Sequence, residues 1–168
     1  MGYSLVKIAP VTVNAALAAG DVLFDSTEFK LPARTCKLVS AVIVDYNNKL
    51  LADDVALVFH QDNAGGTWGT GGDAEALSSA NAVLNLPIAV VPVHNEGYGA
   101  CANFTISSSA GFESTDHSLQ SNPVILQRDT RDDKIYIMGR VTAVSTGGTI
   151  AGTNDDEDEL VIYLGFEW

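Results

Sequence analysis

The sequence predicts an all-β fold: a two-sheet antiparallel β-sandwich, jelly-roll-like, carrying one short helix. It reads as a single domain over residues 1–168 with an N-terminal arm over about residues 1–13. Three observations predict it. Strand signals recur at short spacing between turn residues. Helical periodicity is confined to one segment. No strand–helix–strand alternation of the kind that builds a parallel sheet with a nucleotide crevice is present. At 168 residues, 46% apolar and 18% charged, the chain has enough apolar surface for one sizeable core.

The elements follow in order. Val22–Phe29 is a strand opening after Gly20-Asp21 and closing before Pro32. Leu38–Tyr46 is rich in Val and Ile. Its alternation sets Val39, Ala41 and Ile43 on one face and Leu38, Val42, Val44 and Tyr46 on the other. Two apolar faces indicate a strand buried between layers. Asn47-Asn48 is a turn, because Asn tolerates the left-handed backbone. Leu50–His60, with a bend at Asp53-Asp54, is then expected to complete a hairpin with Leu38–Tyr46.

Gln61–Asp73 holds five glycines around Trp68 and reads as a flexible loop. Ala74–Asn85 is the one helical segment: Leu77, Ala80 and Leu84 fall at helical spacing, Asp73 or Ser78 caps it, and Pro87 stops it. Ile88–His94, Tyr98–Ser107, Val124–Arg128, Lys134–Val144 and Leu160–Phe166 complete roughly eight strands. Ser145–Glu159 is a polar loop.

The net charge of −12 repels phosphate backbones, and the nine basic residues form no dense patch, so a nucleic-acid partner is not expected. No apolar run reaches the roughly 18–20 residues of a membrane helix, so no membrane partner is expected either. The segment Ile8–Gly20 is interrupted by Pro10, Thr12 and Asn14, which argues for cytoplasmic synthesis over secretion. Cys36 and Cys101 stand alone with no CxxC pair. They read as small apolar residues, with a single bridge between them left open.

No segment nominates an active site or a cofactor. His60, His94 and His117 lack metal-ligand spacing, and His60 and His94 end strands as partly buried hydrogen-bonding residues would. The run Asp155–Glu159 lacks the alternating ligands and glycine of an EF-hand, so it reads as a solvated loop rather than a Ca²⁺ site. The segment Gly65–Gly72 has no lysine for a phosphate cradle. No serine sits in Gly-x-Ser-x-Gly, and the sequon at Asn103 matters only to a secreted chain. Apolar and aromatic residues of the termini and the Gly-rich loop are the candidate interface residues, Tyr3, Leu5, Trp68, Phe166 and Trp168, with core packing of the last strand and a tucked-in Trp68 ring as the alternative reading.

Gly20–Phe29, the Ala-Leu-Val-Phe strand at 56–59, Ser79-Ala80-Asn81-Ala82 and the closing Leu160–Phe166 occur in an order that resembles small virion proteins of tailed bacteriophages. The Trp68 loop and the acidic loop at 145–159 depart from that pattern. The resemblance implies a non-enzymatic, capsid-attached decoration or cement protein at the virion surface, assembled in the host cytoplasm. It further implies two partners: the major capsid protein, and further copies of the chain in a homo-oligomer, frequently a trimer. The rival expectation is a carbohydrate- or receptor-binding β-sandwich, on a phage tail or a cell surface, which would expose Trp68 or Tyr98 as a stacking platform.

Overall fold

A computed structural model describes residues 1–12, 17–46, 54–69, 79–100, 105–108, 124–129, 133–143 and 160–168. Within them lie nine strands: β1 (Tyr3–Ile8), β2 (Val22–Lys30), β3 (Thr35–Asp45), β4 (Asp54–His60), β5 (Pro87–Ala100), β6 (Thr105–Ser108), β7 (Val124–Gln127), β8 (Lys134–Ala143) and β9 (Leu160–Glu167). A single helix, α1 (Ser79–Leu84), precedes β5.

The pairing describes a long antiparallel ribbon folded in half between β4 and β5. β1 pairs β9, β2 pairs β8, β3 pairs β6 and β7, and β4 pairs β5. Rolling such a ribbon places alternate pairs in opposite layers, and the β3–β9 and β4–β8 ladders complete each layer. One sheet runs β1-β9-β3, with β6 and β7 end to end beyond β3. The other runs β5-β4-β8-β2. This is jelly-roll order in a two-sheet sandwich. β5 belongs to both layers: its first half pairs β4, its second half pairs β6, and the register shifts between His94 and Gly99.

The core lies between the sheets. Leu38, Ile43, Ile162, Leu164 and Phe166 come from one layer, and Phe24, Leu57, Phe59 and Ile137 from the other. Phe29 ties the layers together, stacked on Phe166 at 6.4 Å and edge-on to Phe59 at 6.2 Å. Offset and edge-to-face contacts of this kind add to area burial.

Four expectations are corrected. The hairpin between Leu38–Tyr46 and Leu50–His60 does not form, because β3 and β4 lie in different sheets. In a rolled ribbon consecutive strands change layer, and a local turn signal cannot tell a hairpin from such a crossover. The expected face assignment of β3 also fails. A register shift between Leu38 and Ser40 inserts a residue, so Leu38, Ala41 and Ile43 share the core face. Ile88–His94 and the start of Tyr98–Ser107 are one strand, β5, unbroken at residues 95–97. The N-terminal arm contains a strand, β1, bonded to β9.

The Asn47-Asn48 turn, residues 74–78 of the expected helix, Cys101, the Asn103 sequon, His117 and the Ser145–Glu159 loop lie outside the described residues, as does the side chain of Tyr98.

Candidate functional site

The outer face of the β5-β4-β8-β2 sheet carries a second, smaller core. Strand alternation points Val22, Val58 and Met138 outward, where Trp68 covers them together with Ala82 of α1. Trp68 is 5% exposed. The expected interface role of Trp68 is therefore corrected: its ring is packed on the sheet and offers no open stacking platform.

Within the expected loop Gln61–Asp73, residues 61–69 are held by hydrogen bonds, which corrects the flexible reading for that part; residues 70–73 lie outside the described residues. Asn85, fully buried, accepts from Gly65 N–H at 2.7 Å and donates through Nδ2 to Gly66 O at 3.1 Å. Its own carbonyl accepts from Asp62 N–H at 3.0 Å. A side chain at Gly65 would collide with the Asn81 carbonyl, so the close approach of loop and helix requires glycine there. Asp25 Oδ1 accepts from Trp68 N–H at 2.8 Å.

His60 sits under this loop, fully buried at the end of β4. The Asp62 carbonyl, 2.8 Å from Nδ1, can only accept, so Nδ1 carries the proton. Nε2 is left as the acceptor for Trp68 Nε1–H at 3.3 Å and for the Ser26 hydroxyl at 3.2 Å. The ring stacks on Tyr136 at 5.5 Å and meets Trp68 edge-on at 5.5 Å. Burial pushes the imidazole below its ordinary value, against the opposing pull of the Asp62 carbonyl and of the Asp25 and Asp62 carboxylates.

A serine hydroxyl beside an imidazole has the outline of a nucleophile and its base. Here the lone pair of Nε2 is shared with an indole N–H, and the group behind Nδ1 is a carbonyl. The arrangement suits a neutral imidazole that joins β2, β4 and the loop. Cys36 is buried as a free thiol, and that burial pushes it above the ordinary value, which makes it a poor nucleophile. Among the described residues there is no group of three His, Cys, Asp or Glu that could hold a metal ion, and no helix long and apolar enough to cross a membrane.

The other outer face keeps its apolar side chains in the open. Tyr3 is 64% exposed, Leu5 57% and Ile125 57%. Tyr3, Glu167, Lys37 and Ile125 stand in one row across β1, β9, β3 and β7, with Lys37 Nζ 3.3 Å from Glu167 Oε2. The Tyr3 phenol lies over Gly165, and the Trp168 indole lies over Gly2. Of the expected interface residues, Tyr3 and Leu5 share this outer face, while Trp168, 44% exposed, stands at the end of the same sheet on its opposite side, against Gly2. Phe166 is corrected: it is fully buried against Phe29, because alternation along β9 turns 162, 164 and 166 inward.

A second apolar ridge escaped the sequence reading. Val83, Leu84, Leu86, Ile88 and Val90 stand exposed along α1 and the start of β5. The signal was the alternation in Ile88–Val93: Ala89, Val91 and Val93 turn toward the core, which sends Ile88, Val90 and Pro92 outward. Leu84, expected as part of a helical stripe, belongs to the exposed ridge.

Strand order and outer faces together define the class: a jelly-roll β-sandwich with two exposed apolar patches. No protein-family model matches the chain, and no curated protein sequence matches it. Among solved structures it is similar to a chain from the X-ray structure of tomato aspermy virus, at 9% identity, with 98% of this chain and 75% of that chain covered and a TM-score of 0.36. A likeness at that level carries no argument, so the fold rests on the strand order itself.

Proposed function

We propose that this chain is a non-enzymatic structural protein of a tailed-phage virion, which decorates and stabilises the capsid by binding the major capsid protein. The observation that carries the reading is the apolar surface left outside a domain of net charge −12: Tyr3, Leu5 and Ile125 on one face, Val83, Leu84, Ile88 and Val90 on the other. Exposed apolar patches rimmed by polar residues mark protein-binding surfaces. The order of motifs that resembles phage virion proteins points the same way, and jelly rolls serve as capsid and lectin domains. Its place would be the capsid surface, joined during assembly in the host cytoplasm.

Co-sedimentation of the purified protein with empty capsids of the source phage tests this. Saturable retention is expected, and Val90→Asp is expected to weaken it by roughly tenfold or more, since a charge then enters an apolar contact. No retention, together with binding on a glycan array, would replace this reading with the carbohydrate- or receptor-binding one.

A further inference from the structure

The segment 61–69 is fastened to the domain by groups that answer differently to protons. Near its middle, Asn85 holds Gly65 and Gly66 through a side-chain amide, which does not titrate. Near its end, the Trp68 indole donates to Nε2 of His60 at 3.3 Å, and an imidazole does titrate. Two glycines with left-handed backbone bracket Trp68, Gly66 at φ 92° and Gly69 at φ 152°. Glycine changes its dihedrals at little steric cost, so these are the positions about which Trp68 can turn.

Around His60, β2 contributes the Ser26 hydroxyl and the Asp25 carboxylate. The segment itself contributes the Asp62 carbonyl and carboxylate and the Trp68 indole, and β8 the Tyr136 ring. Pro87, its neighbour on β5, has no titratable group. Nδ1 already carries a proton for the Asp62 carbonyl, so a second proton enters at Nε2 and takes the lone pair that accepts from Trp68. Ser26 can turn its hydroxyl and accept from the new N–H. The indole is a donor only, and it is left facing a cation. The two carboxylates and the Tyr136 ring favour that cation, and burial opposes it more strongly.

We propose that His60 is a pH latch: a proton at Nε2 unseats the Trp68 ring, which turns about Gly66 and Gly69 and bares the apolar face of Val22, Val58 and Met138. Val22 and Met138 are fully buried in that small core while the ring is seated. The turn breaks the bond from the Trp68 amide to Asp25, and the carboxylate it releases offsets part of the charge on the imidazolium. Opening also hydrates the imidazole and returns it toward its ordinary 6.5. The open form therefore binds the proton more tightly than the closed one, and acid favours opening by linkage. The latch is fully closed well above pH 6.5 and is lost as pH falls through the lower value of the closed form. Asn85 keeps its hold on Gly65 and Gly66, so the release is confined to the Trp68 end. The latch stands apart from the capsid reading, which requires no titration.

Trp168→Phe leaves Trp68 as the single tryptophan, so emission then reports on the latch alone. On acidification from about pH 7.5 to 5 the emission should move to the red with a midpoint below 6.5. An apolar dye should bind in step with it, while the far-ultraviolet β-sheet spectrum holds. His60→Gln in the same background should remove both the red shift and the dye uptake. Trp68→Phe keeps a ring over the sheet but has no indole N–H to oppose the new proton. Its acid-induced dye uptake should fall by roughly threefold or more, the worth of about one hydrogen bond, and this variant decides the matter even where the glutamine does not fold. Emission that stays flat across the range, an equal response in His60→Gln, or undiminished dye uptake in Trp68→Phe would each overturn the proposal. Loss of the sheet spectrum at the same midpoint would overturn it too, because the whole domain would then be unfolding.

Discussion

The chain has two tryptophans, one over the outer face of a sheet and one at the end of the other sheet, and they meet opposite fates. Trp68 lies over one sheet at 5% exposure, bonded through its indole to His60 and through its amide to Asp25. Trp168 ends the other sheet at 44% exposure, with its indole against Gly2. Around Trp68 the chain has spent a nine-residue loop and part of a helix to turn an outer face into interior. On the sheet that Trp168 ends, Tyr3 and Leu5 stand open. An aromatic residue in a loop or at a terminus therefore carries no exposure of its own. What decides it is whether another segment is folded back over the face it occupies.

The sharpest way to break this contrast is at residue 166. Phe166→Ala removes a ring from between the sheets and should cost about 4 kcal/mol, read as a lower denaturant midpoint, while Trp168 two residues on stays in place. Trp68→Ala should cost about 3 kcal/mol if its small core counts as interior, and far less if the loop merely rests on the sheet. Thermal unfolding compares the two directly.

Asn85→Ala leaves Gly65 N–H and Gly66 C=O without their partner. It should cost about 2 kcal/mol and speed amide exchange selectively in residues 61–69. A uniform change in exchange would mean the loop is not a separate unit.

Acid should loosen the Trp68 side alone. The folded His60 value lies below its ordinary 6.5, so between the two the unfolded chain binds more protons than the folded one. Its contribution to stability is complete well above pH 6.5 and is lost as pH falls through the folded value. Tryptophan fluorescence followed from pH 7.5 to 5 should report this, and His60→Gln should lower stability at pH 7.5 yet flatten the slope.

The smallest effect is expected at the open edge. Trp168→Ala should change the melting point by the equivalent of less than about 1 kcal/mol and leave the β-sheet spectrum intact, while weakening association or capsid retention. A loss as large as that for Trp68 would show that the edge is core after all.

Much of the fold was legible locally. Period-two alternation located most of the strands, including β2, β4, β8 and β9, and Pro87 marked the end of the helix, because both signals depend on residues a few positions apart. Pairing was not legible. The apolar faces of β3 and β4 fit a hairpin as well as they fit opposite sheets, and the bulge at residues 38–40 leaves no local mark. His60 was readable as a strand-ending, hydrogen-bonded residue. Its partners Ser26, Asp62, Trp68 and Tyr136 were not, since they arrive from three other segments.

By itself the sequence determined an acidic all-β sandwich with apolar residues at its edges, because composition and alternation are properties of neighbours along the chain. Only the tertiary structure decided that Trp68 and Phe166 are interior and that Tyr3 and Leu5 stand exposed on an outer face. Those distinctions come from which strands roll into which layer and which loop folds back over a face. Both are set by contacts between segments far apart in the chain, where burial of one residue depends on the placement of another.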